Sequence, residues 1–272
     1  MNKLVRLSPS GIEYLDYAWG FYSGCENWRN GVCPVGENCW AKKITGRFKS
    51  HYPNGFEPTY YPEAFLSPLK LKKPSRIGAA WMGDLFGDWV DPNMKMQSIL
   101  PSEKASVSMS LKGWVFTTIE QCPQHTFLFL TKCPQNLQKW GRFPDNCWVG
   151  ATATTVPEFA GACDALAKID AKIRFISLEP IYDFEIVEDG LIEEYLVRCK
   201  INWVILGAQT KPTKYPKIEW VKEIVDAADR AGVPVFIKNN LVPLFSTKIK
   251  GLIDSHNLWA FKQFKLRQEL PQ

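Results

Sequence analysis

Three cysteines near the start of the chain have the residue type and the spacing to hold an inorganic cofactor. Cys25, Cys33 and Cys39 follow one another in a glycine-rich loop, with seven and then five residues between them. Thiolate sulfur binds soft metals and iron–sulfur clusters. Three thiolates would hold three irons of a cubane and leave the fourth iron open to an outside ligand. The loop therefore predicts a [4Fe–4S] site with one open corner.

Three other interpretations of these cysteines stay open. A structural zinc site takes four ligands, usually with a C-x₂₋₄-C pair that the loop lacks, so His51 would have to complete a Cys₃His set. Unrelated buried cysteines would give the same count, although the polar stretch 26–30 is unlike a core sequence. A lone redox-active thiol is the third interpretation, and it needs a neighbour that favours the thiolate, which the sequence does not supply.

The composition is that of an ordinary globular protein, with 46% hydrophobic and 22% charged residues. Residues 1–10 contain no apolar stretch of the kind found in export signals, so eight cysteines favour metal ligands or reactive thiols over a disulfide framework. The longest apolar runs, such as 203–206, are far too short to cross a bilayer. We therefore expect a cytoplasmic protein with no membrane segment. The net charge of +5 is compatible with a nucleic-acid partner without being specific for one.

Strands and helices alternate along the rest of the chain. Nearly continuous apolar runs predict strands buried on both faces at 126–131, 148–153, 173–178, 203–206 and 233–237, with earlier strands at 76–82 and within 12–19. Helical patterns occupy about 40–48, 157–169 and 218–231, the last ending at Gly232. This alternation is typical of βαβ units and a parallel sheet. We predict an α/β fold, a partial (β/α)6-type TIM-like barrel of parallel strands. A flat doubly wound sheet competes with it, but no glycine fingerprint supports that alternative.

Polar residues follow most of the predicted strands. The segments are 83–86, 131–134, 152–154, 177–180, 207–210 and 238–240. In parallel α/β folds, functional side chains gather where strands end and loops begin. The pattern therefore predicts a functional site at these strand ends, although some of the residues would serve as helix caps in any case.

Taken in order, these motifs resemble the radical S-adenosylmethionine superfamily. Within it they are most similar to a phage- and prokaryote-associated three-cysteine-motif family of unassigned activity, itself distantly similar to spore photoproduct lyase. The matching stretches are GIEY at 11–14, GC at 24–25, NCWA at 38–41, MGDLF at 82–86, PQHTF at 123–127, LTK at 130–132, WVG at 148–150, SLEP at 177–180, WVILG at 203–207, AGVP at 231–234 and FIK at 236–238. The resemblance covers nearly the whole chain, from about residue 11 to residue 240.

The chain departs from the pattern of that superfamily in three places. The usual cysteine spacing is C-x₃-C-x₂-C, and relatives in this branch often have about C-x₆-C-x₂-C, so the loop here is wider. Thr152 and Thr154 stand where relatives often carry Ser and Glu. Residues 207–209 read Gly-Ala-Gln where relatives carry Gly-Gly-Glu. A carboxylate lost at either place indicates altered contacts to substrate or cofactor.

The resemblance implies one radical-SAM-like domain over residues 1–272. It would comprise an N-terminal segment with the cluster loop at 1–50, a β/α barrel core at 76–240 and a C-terminal extension at 241–272. Cys25, Cys33 and Cys39 would ligate three irons, and the amino and carboxylate groups of S-adenosylmethionine would chelate the fourth. An electron from the reduced cluster would then give a 5′-deoxyadenosyl radical that takes a hydrogen atom from the substrate.

The resemblance and the strand-end positions also predict contacts to the cofactor. The predicted cofactor-binding residues are Gly83, Asp84, Thr152, Thr154, Gln209 and Lys238. Gly83 and Asp84 match the place where the superfamily holds the methionyl amino group, and a helix-capping role for Asp84 is equally open. Thr152 and Thr154 fall where the ribose hydroxyls find partners. Lys238 would meet the carboxylate of S-adenosylmethionine or a phosphate.

Three further residues are predicted to act in catalysis. Lys132 and Glu179 would either pair with each other or hold a substrate anion. An ion pair between them with a purely structural role is equally open. Cys133 is a candidate hydrogen-atom donor, as one cysteine is in spore photoproduct lyase, with Cys147 as the alternative, although buried thiols are common in protein cores.

The substrate and the partners follow less directly. The resemblance and the basic excess favour a nucleic-acid base or nucleotide, with a small molecule or peptide as the alternative. A flavodoxin- or ferredoxin-like electron donor is the implied partner. A zinc-stabilised binding module without catalysis is a third hypothesis from a different class.

Overall fold

The chain divides into two compact units. The computed structural model describes residues 5–29, 31, 33–100, 105–185, 188–245, 259–262 and 265–272. One unit is Met1–Val149 with Ile169–Lys172, and the other is Gly150–Lys168 with Ile173–Gln272. The single domain expected over 1–272 stays a prediction. Of its expected C-terminal extension, residues 246–258 and 263–264 lie outside the described residues.

The first unit carries the cysteine loop. Its strands are β1 (Leu7–Pro9), β2 (Tyr17–Trp19), β3 (Tyr22–Gly24), β4 (Thr59–Tyr60), β5 (Arg76–Ala79), β6 (Met82–Gly83), β7 (Lys95–Leu100), β8 (Ala105–Ser110), β9 (Thr126–Thr131) and the start of β10 (Cys147–Thr155). Its helices are α1 (Trp40–Arg47) and α2 (Leu111–Glu120). The order β1-β2-β5-β9-β10 forms one sheet, in which β1 is antiparallel to β2 while β2, β5 and β9 run parallel. A small sheet has the order β4-β3-β6, and β7 with β8 forms a hairpin.

The second unit continues from β10. It adds α3 (Val156–Ala167), β11 (Ile173–Asp183), α4 (Leu191–Arg198), β12 (Trp203–Leu206), α5 (Ile218–Arg230), β13 (Val235–Ile237), α6 (Val242–Phe245), β14 (Phe261–Lys262) and β15 (Lys265–Leu266). The strand order here is β10-β11-β12-β13, with β11, β12 and β13 parallel. The pair β14–β15 is antiparallel.

The α/β class is confirmed by a central sheet of eight mostly parallel strands. Its order ends at β1 on one side and at β13 on the other, so in the described residues the sheet is open. None of the helices in the described part of the chain combines the length and the apolar character that a bilayer span requires.

The apolar patterns explain where the elements form. The run TFLFLT of β9 is buried at four of its six positions, as expected for a strand covered on both faces. In α5, Val221, Ile224, Val225 and Ala228 form a buried stripe. This helix is followed by Gly232 with a φ of 68°, the left-handed conformation that glycine adopts past a helix end.

Three strand boundaries differ from the sequence prediction. The strand expected at 76–82 ends at Ala79 because Ala80 has a φ of 61°, and Met82 belongs to the separate strand β6. The strand β11 continues to Asp183 rather than ending at Leu178, so Glu179 lies within a strand and not after it. Likewise Thr152 and Thr154 lie inside β10. The expectation that these three residues follow strand ends was therefore wrong.

Candidate functional site

The cysteine loop joins β3 to α1 within the first unit. The amide of Cys25 donates to Phe56 O at 3.3 Å, and the amide of Cys33 donates to Asn27 O at 3.2 Å. Cys39, the residue before α1, donates its amide to Gly36 O at 3.2 Å. All three cysteines carry free, partly exposed thiols. Backbone hydrogen bonds thus fold the loop into short turns.

The root of the loop is fixed by two glycines. β3 and β6 pair in parallel with Gly24 opposite Gly83, and the amide of Asp84 donates to Gly24 O at 3.3 Å. A Cβ atom at Gly83 would overlap the backbone of Gly24. Gly24 itself has a φ of 96°, which side-chain-bearing residues rarely adopt. Glycine at position 83 therefore allows the two backbones to come this close, and a Cβ atom at Gly24 would overlap the backbone of Glu57 and Pro58. Cys25 follows Gly24 directly.

Asp84 is buried next to this root. Its Oδ1 accepts hydrogen bonds from the hydroxyl of Thr131 at 2.6 Å and from the amide of Phe86 at 3.1 Å. Its Oδ2 accepts from the amide of Lys132 at 2.8 Å. Burial raises the pKa of Asp84, and the three donors partly oppose that effect. The residues that follow form turns rather than a helix, so Asp84 ties its segment to the end of β9 instead of capping a helix.

The same surroundings affect the first thiol of the loop. Burial raises the pKa of Cys25, and the neighbouring carboxylate of Asp84 acts in the same direction. Cys25 is therefore protonated at neutral pH in the metal-free chain. A metal that binds this sulfur must displace its proton.

Cys133 lies against the cysteine loop rather than apart from it. Its sulfur is 3.2 Å from Nδ2 of Asn27, and its amide donates to the hydroxyl of Thr131 at 2.8 Å. Burial raises the pKa of Cys133 to about 12, with Asp84 adding to the shift. Cys133 is consequently a neutral, buried S–H group held at the end of β9. Lys132, its neighbour, is partly buried and is fixed through its main chain to Asp84.

The three thiols of the loop are of the donor type that binds an iron–sulfur cluster, but their side chains do not converge on one position. Within the described residues, no three cysteine, histidine or acidic side chains converge as ligands of a single metal ion. Three free thiols on one short loop are nevertheless the donor set that such clusters take. The buried indole Nε1 of Trp28 in this loop has no hydrogen-bond partner, and cluster sulfurs accept such hydrogen bonds. The residue types of the loop therefore fit such a group, whereas the described side chains do not converge on one metal position.

The second unit holds the remaining predicted residues. Leu178, Leu206 and Ile237 are aligned across the parallel strands β11, β12 and β13. The residues that directly follow them, Glu179, Gly207 and Lys238, are therefore neighbours across the same strands. Lys238 forms an ion pair with Glu179, and the two side chains are only 14% and 25% exposed. A Cβ atom at Gly207 would lie 2.9 Å from Cδ of Glu179. The glycine therefore leaves room for the Glu179 side chain to pass over β12 and reach Lys238. The partner of Glu179 is thus Lys238.

Thr152, Thr154 and Gln209 have structural surroundings of their own. Thr154 donates its amide and its hydroxyl to Glu158 at 2.7 and 2.6 Å, next to the N-terminus of α3. Gln209 accepts from the hydroxyl of Tyr182 at 2.6 Å and donates to Pro212 O at 3.0 Å. Thr152 is half-buried within β10. The hydrogen bonds of Thr154 and Gln209 account for their side chains without a ligand, and their predicted cofactor contacts stay predictions.

Sequence reasoning missed four residues that the structure places beside the predicted ones. Asn27 and Trp28 lie in the cysteine loop, and Thr131 connects Asp84 to Cys133. Ser177, two residues before Glu179 on β11, has a buried hydroxyl without a hydrogen-bond partner. Thr131 belongs to the LTK motif and Ser177 to the SLEP motif, and both motifs contribute to the family resemblance. Residue type and spacing did not distinguish the others from ordinary loop and core residues.

Comparison with known proteins places the chain in a family. Residues 9–241 match the family model described as "Protein of unknown function (DUF5131)". No curated protein and no solved structure matches the chain. The family match spans most of the cysteine loop's unit and the strands of the second unit up to β13. The chain therefore belongs to the DUF5131 family.

Proposed function

We propose that this chain is a cytoplasmic radical S-adenosylmethionine enzyme built on a partial (β/α)6-type barrel. In this proposal Cys25, Cys33 and Cys39 hold a [4Fe–4S] cluster, and the enzyme takes a hydrogen atom from its substrate. The cluster and S-adenosylmethionine, when bound, supply the one-electron chemistry that generates a carbon radical. A flavodoxin- or ferredoxin-like protein would deliver the electron.

One observation carries the proposal. The loop with three free thiols is rooted by the Gly24–Gly83 backbone contact, directly beside the buried Asp84 and the thiol of Cys133. A structural loop has little need for three partly exposed thiols next to a buried carboxyl group and a backbone contact that excludes every Cβ atom. A loop that must present sulfur ligands at a defined place does need such a root.

The chain's own residues would perform three tasks. Cys25 would give up its proton on metal binding, because its raised pKa keeps it protonated beforehand. The Asn27–Cys133 contact would hold the loop against the end of β9. The packed rings of Phe86, Phe129 and Phe143 would keep water out of the unit's interior, as radical chemistry requires.

Iron loading tests the proposal most directly. The full-length chain is reconstituted anaerobically with iron and sulfide, and we expect about four irons per chain, a brown solution and, with dithionite, conversion of S-adenosylmethionine to 5′-deoxyadenosine. Cys33→Ala should lose iron and this activity. Cys199→Ala, which removes a buried thiol of the second unit, should keep both.

Two outcomes would overturn the proposal. Full activity in Cys33→Ala would show that the ligands are assigned wrongly. One zinc per chain in a colourless solution that takes up no iron would identify a zinc-stabilised binding module instead.

A further inference from the structure

The helix that follows the cysteine loop exposes two large aromatic side chains. Trp40, the first residue of α1, and Phe48, the residue after its end, are each 50% exposed. In the same unit Trp19, Trp114 and Trp140 are almost completely buried. An exposed pair of large apolar side chains on one short element indicates a contact surface.

The charged residues around this pair are mostly basic. Lys43, Arg47 and Lys49 are exposed, and the guanidinium carbon of Arg47 lies 5.3 Å from the ring centroid of Phe48. Glu37 is the one carboxylate in the sequence from residue 37 to residue 51, and it is paired with Lys42 at 2.7 Å. The exposed face of α1 therefore presents positive charge that its own acidic residue does not neutralise.

Helix geometry places three of these groups on one side, and Phe48 and Lys49 directly follow the end of the helix. Residues 40, 43 and 47 are separated by three and four positions, which brings them to the same face of an α-helix. At a rise of 1.5 Å per residue, Trp40 and Phe48 stand about 12 Å apart along the axis. Two flat rings thus flank two cationic side chains over a short distance.

We propose that this α1 surface, formed by Trp40, Lys43, Arg47, Phe48 and Lys49, binds single-stranded nucleic acid. Aromatic side chains stack on unpaired bases, and nearby Lys and Arg residues hold the phosphates. A duplex hides its base faces in the helical stack, and an acidic protein surface offers carboxylates but few flat rings. The combination of exposed rings and cations therefore favours an unpaired strand over either alternative.

The position of the α1 surface connects it to the candidate site. Cys39 directly precedes Trp40, so a strand bound there lies beside the loop that would hold the cluster. The inference deepens the proposed function by naming its substrate class, and it rests on that function only for the chemistry done on the strand. Binding itself needs no cluster, so the two ideas can fail separately.

Fluorescence anisotropy with labelled twelve-residue oligonucleotides of thymidine and of uridine tests the surface on the full-length chain. We expect both strands to bind, with the duplex of the same length binding more weakly, and the difference between the two strands shows whether DNA or RNA is preferred. Trp40→Ala should weaken binding roughly 5- to 100-fold, the range for loss of one base stack, without changing the salt dependence. Trp40→Phe should restore most of the affinity.

The charge contribution has its own variant and its own control. Lys43→Gln with Arg47→Gln should reduce the slope of log affinity against log salt by about 1.4, since each phosphate contact to a single strand contributes about 0.7. Val197→Ala, which removes an exposed side chain of α4 next to Glu193 and Glu194, and Lys172→Gln should leave binding unchanged.

Three results would overturn the inference. They are no binding of either oligonucleotide in low salt, binding that neither Trp40→Ala nor the double variant changes, and binding of an acidic flavodoxin to this face while the oligonucleotides fail to bind. Iron content measured on the same preparations reports on the proposed function alone. If the chain binds the oligonucleotides but takes up no iron, the nucleic-acid inference stands and the proposed radical enzyme is wrong.

Discussion

Asn27 donates its side-chain amide to the sulfur of Cys133, with Nδ2 3.2 Å from Sγ, and both side chains are at least 96% buried. The contact joins the cysteine loop to the end of β9 across more than a hundred residues of sequence. Thr131 extends it, because its hydroxyl accepts from the amide of Cys133 and donates to Asp84. One connected set of hydrogen bonds therefore fixes the loop, the thiol and the buried carboxyl group.

Replacing Asn27 by Ala should destabilise the metal-free chain by about 1–3 kcal/mol, since a buried hydrogen bond is lost and its partner is left without one. Urea denaturation measures the free energy of unfolding. Asn54→Ala is the matched control, because Asn54 is exposed and its Nδ2 lies 3.3 Å from the hydroxyl of Thr59. Equal losses in the two variants would show that the Asn27 contact does not hold the loop.

Asp84→Asn should remove a pH dependence of stability. The pKa of Asp84 is raised in the folded chain by burial, above its ordinary value of 3.8, so folding favours the protonated form. The stability that this proton contributes is present below pH 3.8 and is lost as pH rises through the raised pKa, at about 1.4 kcal/mol for each unit of the shift. The advantage of the wild-type chain over the variant should therefore shrink between pH 4 and pH 8.

The asparagine variant should still be less stable than the wild-type chain at every pH in that range. The side-chain NH₂ group of the asparagine would face the hydroxyl of Thr131 or the amide of Lys132, which donate hydrogen bonds to the oxygens of Asp84 in the wild-type chain. Denaturation at pH 4, 6 and 8 measures both effects in one series. A wild-type advantage that grows with pH would mean that the carboxylate form, and not the protonated form, is favoured by folding.

Glu179 and Lys238 should couple more strongly than a surface pair. A double-mutant cycle with Glu179→Gln and Lys238→Met should give a coupling of about 1–2 kcal/mol, because both side chains are largely shielded from water. The control cycle uses Arg142 and Asp145, which are 70% and 76% exposed, and it should give at most about 0.5 kcal/mol. Similar couplings in the two cycles would show that solvent screens the Glu179–Lys238 pair.

Trp28→Phe should act differently on the metal-free and the iron-loaded chain. In the metal-free chain the indole N–H has no hydrogen-bond partner, and the ring centroid lies 3.4 Å from the ammonium of Lys42, so weakening this contact should lower the free energy of unfolding by at most about 1 kcal/mol. In the iron-loaded chain the loss of an N–H···S hydrogen bond should lower the reduction potential of the cluster, because such bonds stabilise the more negative reduced state. Spectroelectrochemical titration measures the shift.

Trp19→Phe is the control for that experiment. The Nε1 of Trp19 donates to Ala64 O at 2.8 Å inside the same unit. Trp19 is completely buried, so losing this hydrogen bond and part of the ring should cost about 1–3 kcal/mol of stability in the metal-free chain and leave the potential unchanged. The opposite pattern, with Trp28 important for folding and without effect on the potential, would remove the indole from the candidate site.

Sequence reasoning placed the elements best where burial alone decides the pattern. The bounds of β9 and β12 agree residue for residue with the predicted apolar runs, because a strand covered on both faces is apolar throughout. It failed at β11, where the apolar run predicts a strand that ends at Leu178, before Glu179 and Pro180. The strand continues because Ile181 is again buried, so the polar residue is an interruption within the strand and not its end.

The candidate site was predictable in its thiols but not in their surroundings. Cysteine is rare enough for three in one loop to stand out, whereas Asn27 and Thr131 are ordinary residues whose importance comes from long-range contacts to Cys133 and Asp84. The Glu179–Lys238 pair shows the same limit, since it spans 59 positions and depends on the register of three parallel strands. Spacing along the chain carries no information about such pairs.

The direct backbone contact between Gly24 and Gly83 means that no side chain in the loop decides where Cys25 stands. Residues inserted between Cys25 and Cys39 lengthen the middle of the loop, while its start at the end of β3 and its end at α1 keep their places. The wide cysteine spacing of this chain therefore reflects a longer loop between two fixed ends, the Gly24–Gly83 contact and the start of α1. The length of the loop between Cys25 and Cys39 can therefore vary without changing the position of Cys25.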